Sequence, residues 1–165
     1  IVFGDWSSDV CSSDLAIRDL NDLKTALQGV DLQSVPIFIQ MDTSDIDIFE
    51  LLATYLEEQG KSIREIQGGI GYDPTGEFAR KGYLSLPLDA VWTKICDCVH
   101  QRADRAPKLR CLCIDGTVYE SAGASGVQEL AFVLSTAIGY IQGLLQQGMT
   151  IDTIAPLFQI GRAHV

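Results

Sequence analysis

Two Cys-x-Cys pairs, three aspartates, one histidine and a glycine run are the groups in this chain whose type and spacing could do chemistry. Cys96-x-Cys98 and Cys111-x-Cys113 offer thiol ligands, but zinc sites favour two to four residues between paired cysteines, with each pair on a turn. Here one pair falls in a helical stretch and the other in a strand, where a spacing of two puts both thiols on one face. The pattern reads as reduced, buried thiols with no metal, which suits a cytoplasmic protein. Gly68-Gly69-Ile70-Gly71 is not a nucleotide loop. Position 74 is proline where a dinucleotide fingerprint needs its third glycine, and no Lys-Ser/Thr pair follows. These glycines suit a close approach of ligand or backbone.

Asp42, Asp73 and Asp115 each fall at or just after the C-terminal end of an expected strand. In a barrel that end carries the chemistry, yet aspartate is also favoured there as a helix cap or loop residue. Both roles stay open. His100 lies late on an amphipathic helix, where it reads as a partner of the helix dipole rather than a base. Trp92 and Phe132 read as core or interhelix packing.

The elements that must position these groups alternate between two periodicities. Ile17, Leu20, Leu23 and Leu27 recur at helical spacing, with Gly29 as a stop. Residues 36–41 form a short apolar strand opened by Pro36. Residues 45–59 return to helix, with Phe49, Leu52, Ala53 and Leu56 on one face. A glycine-rich strand follows at 66–71, then a connecting stretch at 74–87. The set Val91, Trp92, Ile95, Cys98 and Val99 marks the next helix, closed by Arg102, Arg105 and Pro107. Residues 109–115 are continuously apolar, as in a strand buried on both faces. A long helix is expected over 122–147, its stripe made of Val127, Leu130, Ala131, Leu134, Ile138, Ile141 and Leu145. Thr150 caps a short helix from Ile151, and a further strand begins near Leu157. Such alternation predicts parallel strands with right-handed crossovers. The expected fold is α/β: a partial (β/α)8 TIM barrel of three to four consecutive βα units, since a closed barrel takes about 250 residues.

With 22 acidic and 12 basic residues and a net charge of −10, the surface lacks the clustered cations of a nucleic-acid binder. No run reaches the roughly 18 uncharged apolar residues of a membrane span. The two ends have a peculiar relation. Residues 9–14, Asp-Val-Cys-Ser-Ser-Asp, follow from gac gtg tgc tct tcc gat, whose opposite strand encodes Ile-Gly-Arg-Ala-His-Val, residues 160–165. One DNA segment resembling a sequencing adapter thus accounts for both. The expectation is that residues 1–15 and 160–165 are artefactual and pack against nothing. Cys11 and His164 then drop out as ligands, leaving 16–159 as a partial barrel domain.

One stretch is specific enough to suggest a family. Residues 113–132, Cys-Ile-Asp-Gly-Thr-Val-Tyr-Glu-Ser-Ala-Gly-Ala-Ser-Gly-Val-Gln-Glu-Leu-Ala-Phe, strongly resemble the strand-to-helix passage in the barrel of methylmalonyl-CoA mutases. Residues 35–41, 66–73 and 148–156 follow in the same order of features. The resemblance spans essentially all of 16–159. It implies a barrel that threads an acyl-CoA along its axis and meets a separate cobalamin domain. There adenosylcobalamin supplies the radical that interconverts (R)-methylmalonyl-CoA and succinyl-CoA, while the protein positions and polarises the substrate.

The chain departs from the catalytic pattern of that family. Thr117 and Val118 stand where catalytic chains carry Tyr-His, and valine cannot donate to a thioester carbonyl. Ser121 replaces a glutamate, and Gly71 and Tyr72 replace Gln and Asn. Arg80 is the candidate for the substrate-binding arginine, across a one-residue gap. These losses resemble the small, non-catalytic subunit of the heterodimeric enzyme. The expectation is a chain with no catalytic, cofactor-binding or metal residues of its own, whose partner is the large catalytic subunit. On that reading the acyl-CoA and adenosylcobalamin belong to the complex. A divergent catalytic acyl-CoA mutase, or an unrelated barrel lyase or aldolase using Asp42, Asp73 and Asp115, are the alternatives.

Overall fold

Most of the helices begin where a short polar side chain can take up the free backbone N–H groups of the first turn. Asp19 accepts from Asn21 and Asp22 and opens α1 (Leu20–Ala26). Asp47 accepts from Phe49 and Glu50 and opens α2 (Ile48–Glu58). Ser125 and Gln128 cap each other's backbone in a reciprocal box at the start of α6 (Gly126–Gln146). Thr150 opens α7 (Ile151–Ile154). Between them lie α3 (Pro74–Lys81), α4 (Leu88–Arg105) and α5 (Thr117–Ser121). The computed structural model describes residues 2–3, 17–41 and 47–161.

The strands are β1 (Val2–Phe3), β2 (Ile37–Met41), β3 (Gly68–Tyr72), β4 (Leu109–Asp115) and β5 (Phe158–Gly161). They lie side by side in chain order, and every neighbouring pair is parallel. Strand and helix alternate along the chain, so this is an α/β fold consistent with part of a (β/α)8 barrel. The apolar core lies between the sheet and the helices. One cluster joins α1, α2, β2 and β3 through Leu23, Leu27, Phe49, Leu56, Ile37 and Ile70. The other joins α4, β4 and α6 through Ile95, Val99, Cys111, Ile114, Val133 and Leu144.

The structure corrects four expectations. First, residues 74–87 are not wholly a connection. Asp73 caps Pro74, whose ring presets the first helical residue, and Gly82 at φ 77° closes the turn after Lys81. Second, the helix expected over 122–147 starts at Gly126, after the separate turn of α5.

Third, α6 buries a different face. Val133, Ala137, Tyr140 and Leu144 pack inward, while Val127 is 80% exposed, and Leu130, Leu134, Ile138 and Leu145 are exposed as well. A helix apolar on most sides does not declare its inner face. Here the shape of Gly143 decides it: a Cβ there would strike the Trp92 ring on α4. Fourth, the ends are not wholly free of the fold, for Val2–Phe3 pair with Phe38 and Ile39, and Ile160 and Gly161 pair with Ile114 and Asp115. The remainder of both ends, with Cys11 and His164, lies outside the described residues.

Candidate functional site

The C-terminal ends of β3 and β4 converge on one carboxylate. Asp73, 3% exposed, accepts from the Tyr140 hydroxyl at 2.9 Å and from the Gly76 N–H at 3.0 Å. Its other oxygen accepts from the Asp115 N–H at 3.2 Å. Tyr140 in turn accepts from the Thr75 N–H at 2.8 Å. Four elements, β3, α3, β4 and α6, are thus tied at a single side chain. Burial pushes the Asp73 carboxyl above its ordinary value, although the three donors pull against that. Burial, with the Asp73 charge beside it, also raises the Tyr140 phenol.

Asp115 is spent on its own turn. Its carboxylate accepts from the Thr117 N–H at 2.9 Å and the Thr117 hydroxyl at 2.7 Å. Both aspartates therefore serve as caps and braces, the first of the two roles open from sequence. Asp42 lies outside the described residues. Val118 follows Thr117 in α5 and has no polar group to offer. Thr117 has directed both of its donors at Asp115. The tip of β4 is a closed hydrogen-bonded turn, with no side-chain donor left over at these two positions.

The sheet face turned away from the helices carries Phe38, Gln40, Gly69, Gly71, Cys113 and Gln159. Gln40 Nε2 reaches the Cys113 carbonyl at 3.3 Å. A Cβ on Gly69 would lie 2.7 Å from Gln159 Oε1 and 2.9 Å from Cys113 Sγ. A Cβ on Gly71 would also collide with Cys113. The glycines thus admit neighbouring side chains on the inner wall, while Gly68 at φ 126° closes directly on the Ile37 backbone. In most barrels bulky branched residues fill the interior; of the wall residues just named only Phe38 is bulky, and the others are small or polar. Gln159 Oε1 is buried there without a hydrogen-bond partner among the described residues.

The remaining sequence candidates are scattered. Arg80 stands exposed in the last turn of α3, where a cation suits the helix dipole. His100 is exposed on α4. Cys96, Cys98, Cys111 and Cys113 are free thiols, but the expectation that Cys111 and Cys113 share a face fails. Cys111 and Leu112 are consecutively buried where the β3–β4 register shifts, so Cys111 joins the helix-side core and Cys113 turns to the glycines. Sequence reading also missed Tyr140 and the buried Arg102. A tyrosine inside an apolar helix was the available sign of the first, because a buried hydroxyl needs a partner.

The matched family model, methylmalonyl-CoA mutase, covers residues 5–162. The chain belongs to the methylmalonyl-CoA mutase family. It is 29% identical over 147 residues to a methylmalonyl-CoA mutase of Rhizobium meliloti, a match covering 89% of this chain and 21% of the relative. It is 29% identical over 148 residues to a probable methylmalonyl-CoA mutase large subunit of Mycobacterium bovis. The same identity and length hold for the mitochondrial methylmalonyl-CoA mutase of Homo sapiens. Both of these matches cover 90% of this chain and 20% of the relative. The chain therefore spans about a fifth of the length of the relatives it matches. Membership in this family sets aside the unrelated lyase or aldolase.

Proposed function

We propose that this chain is part of a cobalamin-dependent methylmalonyl-CoA mutase interconverting (R)-methylmalonyl-CoA and succinyl-CoA, and that it comes from the small, non-catalytic subunit. The observation that carries the reading is the tip of β4. Thr117 and Val118 stand where the family's catalytic chains hold Tyr-His, and Thr117 is spent on Asp115. A reacting thioester carbonyl would find no donor from either residue. The small, polar inner wall from Gln40 to Gln159 supports an acyl-CoA running along the barrel axis in the whole enzyme. Arg80, exposed at the end of α3, is the residue proposed to meet that substrate.

Adenosylcobalamin would supply the radical chemistry in the complex. The residues described here do not fit it as ligands: His100, the one histidine among them, is exposed on the outer helix α4, and no cluster of metal-binding side chains is found among them. Among the described residues no helix is long and apolar enough to cross a membrane. The proposed setting is the cytoplasm, in a heterodimer with a large catalytic subunit, with residues 16–159 as the partial barrel domain.

The test is turnover. The full-length protein containing this segment, purified alone with adenosylcobalamin, is expected to leave (R)-methylmalonyl-CoA unconverted. Activity is expected when a large subunit bearing the Tyr-His pair is added. Turnover by the lone protein at a rate near that of the mixture would overturn the small-subunit reading in favour of a divergent catalytic chain.

A further inference from the structure

One cation stands on the sheet face turned away from the helices. Arg110 lies between Leu109 and Cys111, which are fully buried in the helix-side core, and is itself exposed. Alternation along a strand puts it on the opposite face. Its register partner on β3 is Gly69, where a Cβ would point at Phe38, Cys113 and Gln159. Arg110 therefore shares the wall that those residues make, and the other wall residues named above carry no charge. Among the described residues Arg110 has no hydrogen bond or ion pair.

In a closed barrel this wall faces the interior, where a cation without an anion is costly. A planar guanidinium suits phosphate, which it meets with two parallel N–H donors. The length of the wall says which phosphate. Arg110 is the second residue of β4, and Asp115, at the other end of that strand, is about 16 Å away at the usual rise per residue. In coenzyme A, thirteen bonds join the sulfur to the first phosphorus. An extended chain advances about 3.3–3.6 Å for every three bonds, so this arm spans roughly 14–16 Å. Wall and arm match in length.

We propose that Arg110 binds the phosphate at the end of that arm, an assignment that rests on the acyl-CoA reading above. The thioester then lies near the tip of β4, beside Thr117 and Val118, and the nucleotide lies beyond the N-terminal ends of the strands. Arg110 is a binding residue and takes no part in the chemistry. It gives the inner wall a polarity, since the phosphate end of the ligand is held at one mouth of the barrel whatever acyl group is carried to the other.

The experiment is calorimetric titration of the full-length protein, purified alone, with coenzyme A, 4′-phosphopantetheine and pantetheine. The second probe carries the phosphate at the end of the arm and the third lacks it. Arg110→Gln should weaken coenzyme A and 4′-phosphopantetheine by about tenfold to a hundredfold, the effect of losing a charged hydrogen-bond donor, and leave pantetheine unchanged. Arg110→Lys should recover part of the loss, because it keeps the charge without the paired donors. If Arg110→Gln does not fold, Arg110→Lys decides: it should weaken the two phosphorylated probes and not pantetheine. Coenzyme A bound equally by parent and variant overturns the assignment and leaves the acyl-CoA reading standing. Equal weakening of all three probes also overturns it, since the arginine would then act on the fold and not on the phosphate. Absence of coenzyme A binding in the parent overturns both.

Discussion

Two glycines four residues apart on α6 should respond to alanine in opposite directions. In a helix interior, alanine is favoured over glycine by about 0.8–1 kcal/mol. Gly139 has nothing within 4 Å of the position its Cβ would take, so Gly139→Ala should show the full gain. At Gly143 the same Cβ would meet Trp92, with Cζ3 at 2.6 Å and Cζ2 at 2.8 Å. The indole is a rigid plate set edge-on to Tyr140, ring centroids 6.4 Å apart, so it cannot yield without disturbing that packing. Overpacking of this kind costs about 1–3 kcal/mol, which leaves Gly143→Ala neutral to about 2 kcal/mol less stable. The two variants should therefore differ by the clash itself, about 1–3 kcal/mol. At roughly 2–4 °C per kcal/mol for a chain this size, thermal unfolding resolves the difference, and urea midpoints check it. In a Trp92→Leu background the difference should shrink, because the clashing atoms are gone. Equal stabilisation by both alanines would refute the claim that Gly143 selects the inner face of α6.

Tyr140→Phe should lower stability by about 1–3 kcal/mol in urea unfolding, since it strips a donor from buried Asp73 and the acceptor from the Thr75 N–H. The pH dependence of Asp73 has a definite sign. Its folded value lies above the unfolded 3.8, so the folded state holds the proton more tightly, and stability falls as pH rises from about 3.8 through the folded value. Asp73→Asn should flatten that fall, and an unchanged pH profile of unfolding would contradict the burial argument. Ser125→Ala should cost about 0.5–2 kcal/mol by removing the α6 cap, measurable as a lower thermal midpoint.

Much of the scaffold was legible because its elements carry period and punctuation together. The strand at 109–115 is continuously apolar, and α2 buries the Phe49, Leu52, Ala53 and Leu56 face read from spacing alone. Where the two signals separated, the reading failed. Helix α3 has a clear start and stop in Asp73-Pro74 and Gly82 but little apolar rhythm, so its caps were overlooked. Helix α6 has abundant apolar rhythm on more than one side, and only the notch at Gly143 and the hydroxyl of Tyr140 choose among them. The strand ends were placed well enough to pick out Asp73 and Asp115. Their engagement could not be read, because it depends on partners 67 and two residues away. Cys111 joins the core while Cys113 turns to the glycines, a division that rests on a register shift strand periodicity does not announce.

The sheet is loaded unequally on its two faces. Helices press on one side through Ile37, Ile70, Leu109 and Ile114, which are almost fully buried, so changes there are judged by folding. The opposite wall, with Gly69, Gly71, Cys113 and Gln159, bears little of that apolar packing. A lineage can therefore rewrite the wall that would greet a ligand while the half that keeps the chain folded stays as it was. A change of chemistry on that wall need not pass through a loss of shape.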